Sequence, residues 1–204
     1  MKMNFPLRPA LLTLVLASTL TVSACKDAAE KPGAAPAAST EATEKVSIPA
    51  IATQAKGFTF GSPMSARTVY VFFDSQCPHC AALWVAAKPL KSQAKFVWIP
   101  VGLLNASSTS QGAALLAAAD PVATMDQHEA SMMAKTGGIT ATGSADAQRA
   151  DVEANTKLFN RFKLASVPTI VGKHAVSGEM VVLEGSMPTA SLATALGLQV
   201  PGGN

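Results

Sequence analysis

The sequence predicts an α/β fold in which a central mixed sheet is flanked by helices and interrupted by a helical insertion. Apolar runs at 68–73 and 95–101 are separated by a helix-forming segment, and strand–helix–strand at this spacing favours a parallel crossover. Segments rich in Ala and Leu predict further helices between about 105 and 163. Two more apolar runs and a short closing helix follow after 165. The predicted order is therefore β, β-α-β, helices, β-β-α.

Each element has a local signal. Strands are predicted where β-branched and aromatic residues run together, and helices where helix formers do. Pro78 and Pro188 suit first helical turns, and Pro89 marks a kink or an early helix end. The predicted strands are 58–60, 68–73, 95–101, 165–172 and 180–185, and the predicted helices are 78–90, 110–120, 122–133, 146–163 and 188–196.

The strand at 68–73 leads into Cys77-Pro78-His79-Cys80 at the start of a helix. The free amides and positive dipole end of a helix stabilise a thiolate, so the pKa of Cys77 is expected to fall. His79, if protonated or donating to the sulfur, lowers it further. Cys80, one turn inward, is expected to be less exposed and to attack a mixed disulfide from within. We predict a redox-active dithiol, with Cys77 the nucleophile, Cys80 the resolving thiol and a Cys77–Cys80 disulfide when oxidised.

Two alternatives compete with the redox dithiol. A Cys-x-x-Cys pair is half of a structural zinc site, but the chain has three cysteines and three histidines with no second ligand pair at zinc spacing. We therefore predict no metal at this motif. A purely structural disulfide is the other alternative, although so small a loop constrains the unfolded chain little.

The N-terminus has the pattern of an export signal. A basic segment with Lys2 and Arg8 precedes an apolar run that is too short for a lasting membrane span. Small residues then precede Cys25, which resembles a bacterial lipobox and implies cleavage after residue 24 and lipidation of Cys25. An ordinary secretory signal with an incidental Cys25 is the alternative. Either interpretation places the protein in an oxidising compartment.

Residues 25–56 are predicted to be the lipidated cysteine and a disordered tether, because they contain few large apolar side chains to offset the entropy of ordering. Residues 57–204 then form the catalytic domain. Loss of 1–24 lowers the formal charge from +3 to +1, since Lys2 and Arg8 are removed and no acid is. The remaining charges are scattered, so we expect no binding to nucleic acid.

Two further features have alternative interpretations. Asp74 either relays protons to Cys80 or serves as a turn and helix-capping residue, which we favour. Met125, Glu129 and Met132 recur at helical spacing, with His128 and Met133 beside them. This set is either a Cu(I) site or a Met-lined core face, and the core face is the preferred interpretation.

The motif and its surroundings resemble the periplasmic thiol:disulfide interchange proteins of the DsbC/DsbG type, the DsbG branch most closely. The resemblance implies a thioredoxin fold, in which a cis-proline loop faces the Cys-x-x-Cys and the residue before the proline pairs with substrate. Here those residues are Val167 and Pro168, although a trans proline starting a strand is the alternative. The segments that carry the resemblance are 71–74, the Cys77–Cys80 motif, Trp84, Val101-Gly102, 113–121, 127–131 and Val167-Pro168.

Three departures from that family stand out. An N-terminal dimerisation domain is replaced by the leader and tether, so we expect a monomer. Histidine at His79 and valine at Val167 are the residues of the strongly oxidising DsbA type, not of DsbG. A histidine that stabilises the thiolate makes the disulfide more oxidising.

The expected function is thiol:disulfide exchange with substrate proteins in the cell envelope, with no cofactor besides the dithiol. The expected partners are substrate proteins with thiols or disulfides, a membrane redox partner of the Dsb type, and the membrane through lipid on Cys25, with the outer membrane favoured. A reductase or isomerase kept reduced by a membrane electron donor is one alternative. A non-enzymatic copper carrier or chaperone is the other.

Overall fold

The computed structural model describes residues 44–141 and 145–202. They form a five-stranded mixed sheet with helices on both faces, which confirms the predicted fold class. The strands are β1 (Phe58–Gly61), β2 (Thr68–Asp74), β3 (Lys95–Val101), β4 (Thr169–Lys173) and β5 (Met180–Glu184). The helices are α1 (Ile48–Gln54), α2 (Pro78–Ala87), α3 (Ala106–Ala117), α4 (Pro121–Met133), α5 (Asp146–Arg161) and α6 (Thr189–Leu196).

The sheet has the order β1-β3-β2-β4-β5. β2 and β3 are parallel, with Thr68 opposite Lys95 and Asp74 opposite Val101, as the strand–helix–strand pattern predicted. The other neighbouring pairs, β1–β3, β2–β4 and β4–β5, are antiparallel. The central position of β2 delivers the chain from the middle of the sheet to the start of α2.

Alternation along the central strands builds a core on each face of the sheet. On β2, Val71 and Phe73 pack in one cluster with residues of α2, α4 and α6, whereas Phe72 packs in the other with α1 and α5. β3 divides in the same way, with Trp98 on the first face and Ile99 on the second. Strands buried on both faces are continuously apolar, which is why these two runs were strong signals.

Capping residues fix where the inserted helices begin. Asn105 and Ser108 form a reciprocal capping box at the start of α3, and Asp120 accepts a hydrogen bond from the amide of Ala123 at the start of α4. Pro89 ends the regular part of α2, and a 3₁₀ turn over Lys88–Leu90 follows. Helices α3, α4 and α5 fill the insertion predicted between about 105 and 163.

The boundary predicted between tether and domain was wrong. Residues 44–56, assigned to a disordered tether, contain α1, which begins at a Ser47 cap and buries Ile51 completely. Asn155 holds the following residues in place, because its side chain donates to the carbonyl of Lys56 (2.8 Å) and accepts from the Lys56 amide (2.9 Å). Pro49 lies in the first turn of α1, where proline is tolerated.

The predicted signal peptide, the lipidation site Cys25 and the tether up to residue 43 lie outside the described residues. Among the helices that are described, none has both the length and the apolar character required to cross a membrane.

Candidate active site

The two motif cysteines lie at the N-terminus of α2, where β2 ends. Cys77 is the N-cap residue and is 5% exposed, and Cys80 is completely buried. Both are free thiols in the structure. Pro78 occupies the first helical position and is exposed, as is His79. The side with Pro78 and His79 is therefore the one from which a substrate reaches the Cys77 sulfur.

The surroundings of Cys77 favour its thiolate. A hydrogen bond from the Cys80 thiol is the largest influence, and together with the amides of Cys80 and His79 and the charge of His79 it lowers the pKa of Cys77 to about 6. Desolvation opposes this but does not outweigh it. A thiol with this pKa is mostly ionised at neutral pH, which is the nucleophilic form.

Cys80 is shifted in the opposite direction. Burial, the hydrogen bond to Cys77 and the negative charge on Cys77 raise the pKa of Cys80 well above its ordinary value, and the charge of Glu129 adds to this. One cysteine is thus poised to attack, while the other remains a protonated thiol beneath it. The two pKa shifts are compatible with the roles predicted from the motif, which stay a prediction.

A loop preceding β4 faces the dithiol. The peptide bond between Val167 and Pro168 is cis, and the carbonyl oxygen of Val167 lies 3.5 Å from the Cys77 sulfur. The alternative of a trans proline is therefore not adopted. The structure thus brings Val167 and Pro168 to Cys77 from a part of the chain that is distant in sequence.

Asp74 organises the loops around the site. Its carboxylate is completely buried and accepts three backbone hydrogen bonds, from Gln76 at 2.8 Å, Leu103 at 2.7 Å and Leu104 at 3.0 Å. The turn role favoured from the sequence is thus present, but helix capping is not, since Cys77 is the N-cap of α2 and no side chain caps it. With three donors bound, this carboxylate is occupied as a structural acceptor.

His79 makes one side-chain contact across the site. Its Nδ1 lies 3.4 Å from the hydroxyl oxygen of Ser186 in the segment before α6. Its effect on Cys77 comes first through its backbone amide and then through its charge. The sequence analysis named both kinds of contribution, the amides at the helix start and the charge of His79.

The candidate copper set does not present its ligands together. His128 donates from Nε2 to the carbonyl of Ser75 (2.7 Å) and accepts at Nδ1 from the amide of Ile139 (3.1 Å), so both ring nitrogens are bound. Burial lowers the pKa of His128, which suits this neutral form. Met125 is completely buried in the apolar core. Within the described residues, no three or more His, Cys, Asp or Glu side chains are grouped to hold a metal.

Sequence reasoning missed the polar network that supports the motif from α3. The Gln111 side chain, 6% exposed, donates to the carbonyls of Gly137 (2.8 Å) and Ile139 (3.0 Å) and accepts from the side chain of Gln76. The signal available was a glutamine on a helix that otherwise consists mostly of small residues. Its partners are distant in sequence, so nothing local indicated them.

A mixed sheet that delivers Cys-x-x-Cys to a helix start opposite a cis-proline loop defines a thioredoxin-fold protein with a dithiol site. The chain belongs to the thioredoxin family, whose family model, described as Thioredoxin, matches residues 53–185.

Two curated relatives are thiol:disulfide interchange proteins named DsbG. The one from Pseudomonas aeruginosa is 33% identical over 133 residues, which are 64% of this chain and 51% of the relative. The one from Escherichia coli is 40% identical over 65 residues, 31% of this chain and 26% of the relative. The DsbG-type resemblance is thereby confirmed. The matched part of the chain spans about half the length of the Pseudomonas relative and about a quarter of the length of the Escherichia coli relative.

Solved structures support the fold. The catalytic domain of Proteus mirabilis ScsC has a TM-score of 0.57 at 18% identity, covering 72% of this chain and 91% of that domain. The thiol-disulfide exchange protein alpha-DsbA2 from Wolbachia pipientis has a TM-score of 0.54 at 16% identity, and the match covers 69% of this chain and 86% of that one. A periplasmic thioredoxin-like protein from Salmonella enterica serovar Typhimurium has a TM-score of 0.57 at 14% identity, and the match covers 76% of this chain and 97% of that one.

Proposed function

We propose that this chain is a thiol:disulfide oxidoreductase that exchanges disulfides with substrate proteins through Cys77 and Cys80. The observation that carries the proposal is the contrast within the pair: the pKa of Cys77 is lowered to about 6 and that of Cys80 is raised. An inert structural bridge needs no such contrast, whereas a nucleophile with a resolving partner does.

The chemistry follows from the two positions. The Cys77 thiolate attacks a substrate disulfide, or a substrate thiolate attacks the Cys77 sulfur of the oxidised pair, and either gives a mixed disulfide. In the first direction, Cys80 then attacks the Cys77 sulfur and the substrate leaves as a thiolate. In the second direction, Cys80 leaves as the substrate attacks, and a second substrate thiolate then attacks the substrate sulfur and displaces Cys77. The backbone at Val167-Pro168 borders the sulfur and docks the substrate strand. The dithiol carries both electrons, so the proposal includes no cofactor.

We place this activity on the periplasmic side of the cell envelope, in accord with the DsbG relatives and with a solved neighbour described as periplasmic. In this proposal the protein is exported, anchored by lipid on Cys25 in the outer membrane, and works as a monomer with a membrane redox partner. The leader and the small residues before Cys25 support the anchor.

The lowered pKa of Cys77 is the observation that bears on the direction of exchange. A pKa of about 6 for Cys77 lies between about 7 for thioredoxin and about 3.5 for DsbA. Because a stabilised thiolate favours the reduced form, we infer a pair more oxidising than thioredoxin and less oxidising than DsbA. The second candidate is a reductase or isomerase kept reduced by a membrane donor, and the identity to DsbG favours it.

Single cysteine replacements test the proposal. Cys77→Ser is expected to abolish exchange with a disulfide substrate, and Cys80→Ser is expected to accumulate mixed disulfides on Cys77, because the resolving thiol is gone. Mass spectrometry of acid-quenched reactions measures both effects. Cys25→Ser is the matched control, since it removes the third cysteine and should leave exchange unchanged. Normal turnover by the Cys77→Ser protein would sink the assignment.

A further inference from the structure

Glu129 is a buried carboxyl to which the mechanism above gives no role. It lies on α4, is 2% exposed, and neither carboxyl oxygen has a hydrogen-bond partner among the described residues. Buried polar atoms are nearly always hydrogen-bonded, so two unpartnered oxygens are costly. Burial, with a contribution from the charge of Cys77, raises the pKa of Glu129 to about 8. Groups of this kind concentrate at functional sites.

Two contacts fix how α4 crosses α2. The Trp84 ring nitrogen donates to a carboxylate oxygen of Asp126 at 2.6 Å, and the Gln76 side-chain amide lies 3.8 Å from the Met132 sulfur. The earlier residue of one segment, Gln76, contacts the later residue of the other, Met132, and Trp84 contacts Asp126 in the same crossed order. The two segments therefore run antiparallel. Two facing rows of side chains result: Gln76, Cys80 and Trp84 on one segment, and Met132, Glu129 and Asp126 on the other.

The middle members of these rows are Cys80 and Glu129. Asp126, Glu129 and Met132 lie one turn apart on α4, and Cys80 and Trp84 lie one turn apart on α2, so each set shares a helix face, while Gln76 lies in the turn just before α2. With the outer members in contact, the middle members are brought opposite each other. The charges agree with this placement, because the charge of Glu129 raises the pKa of Cys80 and the charge of Cys77 raises the pKa of Glu129.

The other charged groups around this site are occupied or distant. On α2, Lys88 pairs with Asp126 at 2.5 Å, and His79 is exposed. Asp74, at the end of β2, is bound by three amides, and His128 on α4 has both nitrogens bound. The remaining elements packed against α4 are α3 and β1, which have no titratable side chains.

We propose that Glu129 accepts and returns the proton of Cys80 through one water during resolution of the mixed disulfide. This inference rests on the proposed function. Cys80 loses its proton to the Glu129 carboxylate and its sulfur bonds to the Cys77 sulfur. The bond between Cys77 and the substrate sulfur breaks, and its electron pair leaves on the substrate thiolate. In the reverse direction, protonated Glu129 returns the proton to the Cys80 thiolate.

The charge on Cys77 determines at which step Glu129 can accept the proton of Cys80. In the reduced protein the Cys77 thiolate opposes a second negative charge nearby, so Glu129 remains protonated. In the mixed disulfide Cys77 carries no charge, one of the two causes of the raised pKa is lost, and Glu129 ionises more readily. A carboxylate is thus available at the step in which Cys80 must lose its proton.

Single-turnover kinetics test the assignment. Reduced protein is mixed with oxidised glutathione, quenched with acid, and the glutathione adduct on Cys77 is followed by mass spectrometry between about pH 5 and 9. Glu129→Gln is nearly isosteric and neutral like the protonated acid. We expect it to form the adduct at the wild-type rate but to resolve it about 100-fold more slowly, the lower end of what a positioned proton acceptor contributes.

The pH profile separates proton transfer from a structural role. In the wild type, resolution should level off once Glu129 is ionised, whereas in Glu129→Gln it should rise throughout the range. Glu129→Asp retains a carboxyl and should restore the levelling. Glu153→Gln makes the same chemical change at an exposed position on α5 and should match the wild type. Resolution by Glu129→Gln with the wild-type rate and profile would overturn the role of Glu129. Absence of any adduct in the wild type would instead overturn the proposed function.

Discussion

At the residue scale, the thiolate of Cys77 is stabilised mainly by its own motif. The Cys80 thiol contributes most to the lowered pKa, the amides of Cys80 and His79 follow, and the charge of His79 contributes least. The lowered pKa of Cys77 therefore depends more on the turn at the start of α2 than on the histidine side chain at position 79. The sequence analysis had likewise named the amides at the helix start first and the histidine second.

Replacement of His79 by Ala should therefore raise the pKa of Cys77 by less than about one unit, since both amides and the Cys80 thiol remain. Cys80→Ala should raise it more, because the largest influence is removed. The ultraviolet absorbance of the thiolate as a function of pH measures both, with Cys77→Ser as the blank. An equal or larger rise for His79→Ala would contradict this order.

At the element scale, the site depends on loops tied to the ends of β2 and β3. These strands lie side by side in parallel, so both end at the same edge of the sheet, and Asp74 at the end of β2 binds the amides of Leu103 and Leu104 just beyond β3. The same carboxylate binds the amide of Gln76 before the motif. One buried side chain thus holds two loops at the dithiol.

Asp74→Asn should destabilise the fold by about 1–3 kcal/mol. The substitution replaces one carboxylate oxygen, an acceptor, with an NH₂ group, a donor, which then faces a backbone N–H that has lost its acceptor. Denaturant unfolding measures the loss, and hydrogen exchange at Leu103 and Leu104 should quicken locally. Asp120→Asn is the matched control, since asparagine caps the start of α4 as well as aspartate does. Equal stability of Asp74→Asn and the control would rule out the tying role.

The sequence predicted what depends on local pattern and missed what depends on distant partners. β2, β3 and the motif were predicted because continuous apolar runs and a Cys-x-x-Cys are local signals. Glu129 was grouped with methionines by its helical spacing, since nothing nearby in the sequence indicates that its carboxyl group is buried without a partner among the described residues. Asn155, which ties residue 56 to the sheet, and the helix α1 escaped notice for the same reason.

At the scale of the whole molecule, two cores support a site at one end of the sheet. One core, beneath α2, α4 and α6, includes both cysteines, and the other lies beneath α1 and α5. The sheet between them supplies the two parallel strand ends and the cis-proline loop. The dithiol is thus part of a packed core.

The measurement that tests the central claim most directly is the reduction potential of the Cys77–Cys80 pair, obtained by equilibration in glutathione buffers. The account predicts reversible titration between about −270 mV, as for thioredoxin, and about −120 mV, as for DsbA. Cys25→Ser protein should give the same value, since Cys25 has no part in the couple. A pair that fails to titrate in these buffers would contradict the account and leave a structural bridge in its place.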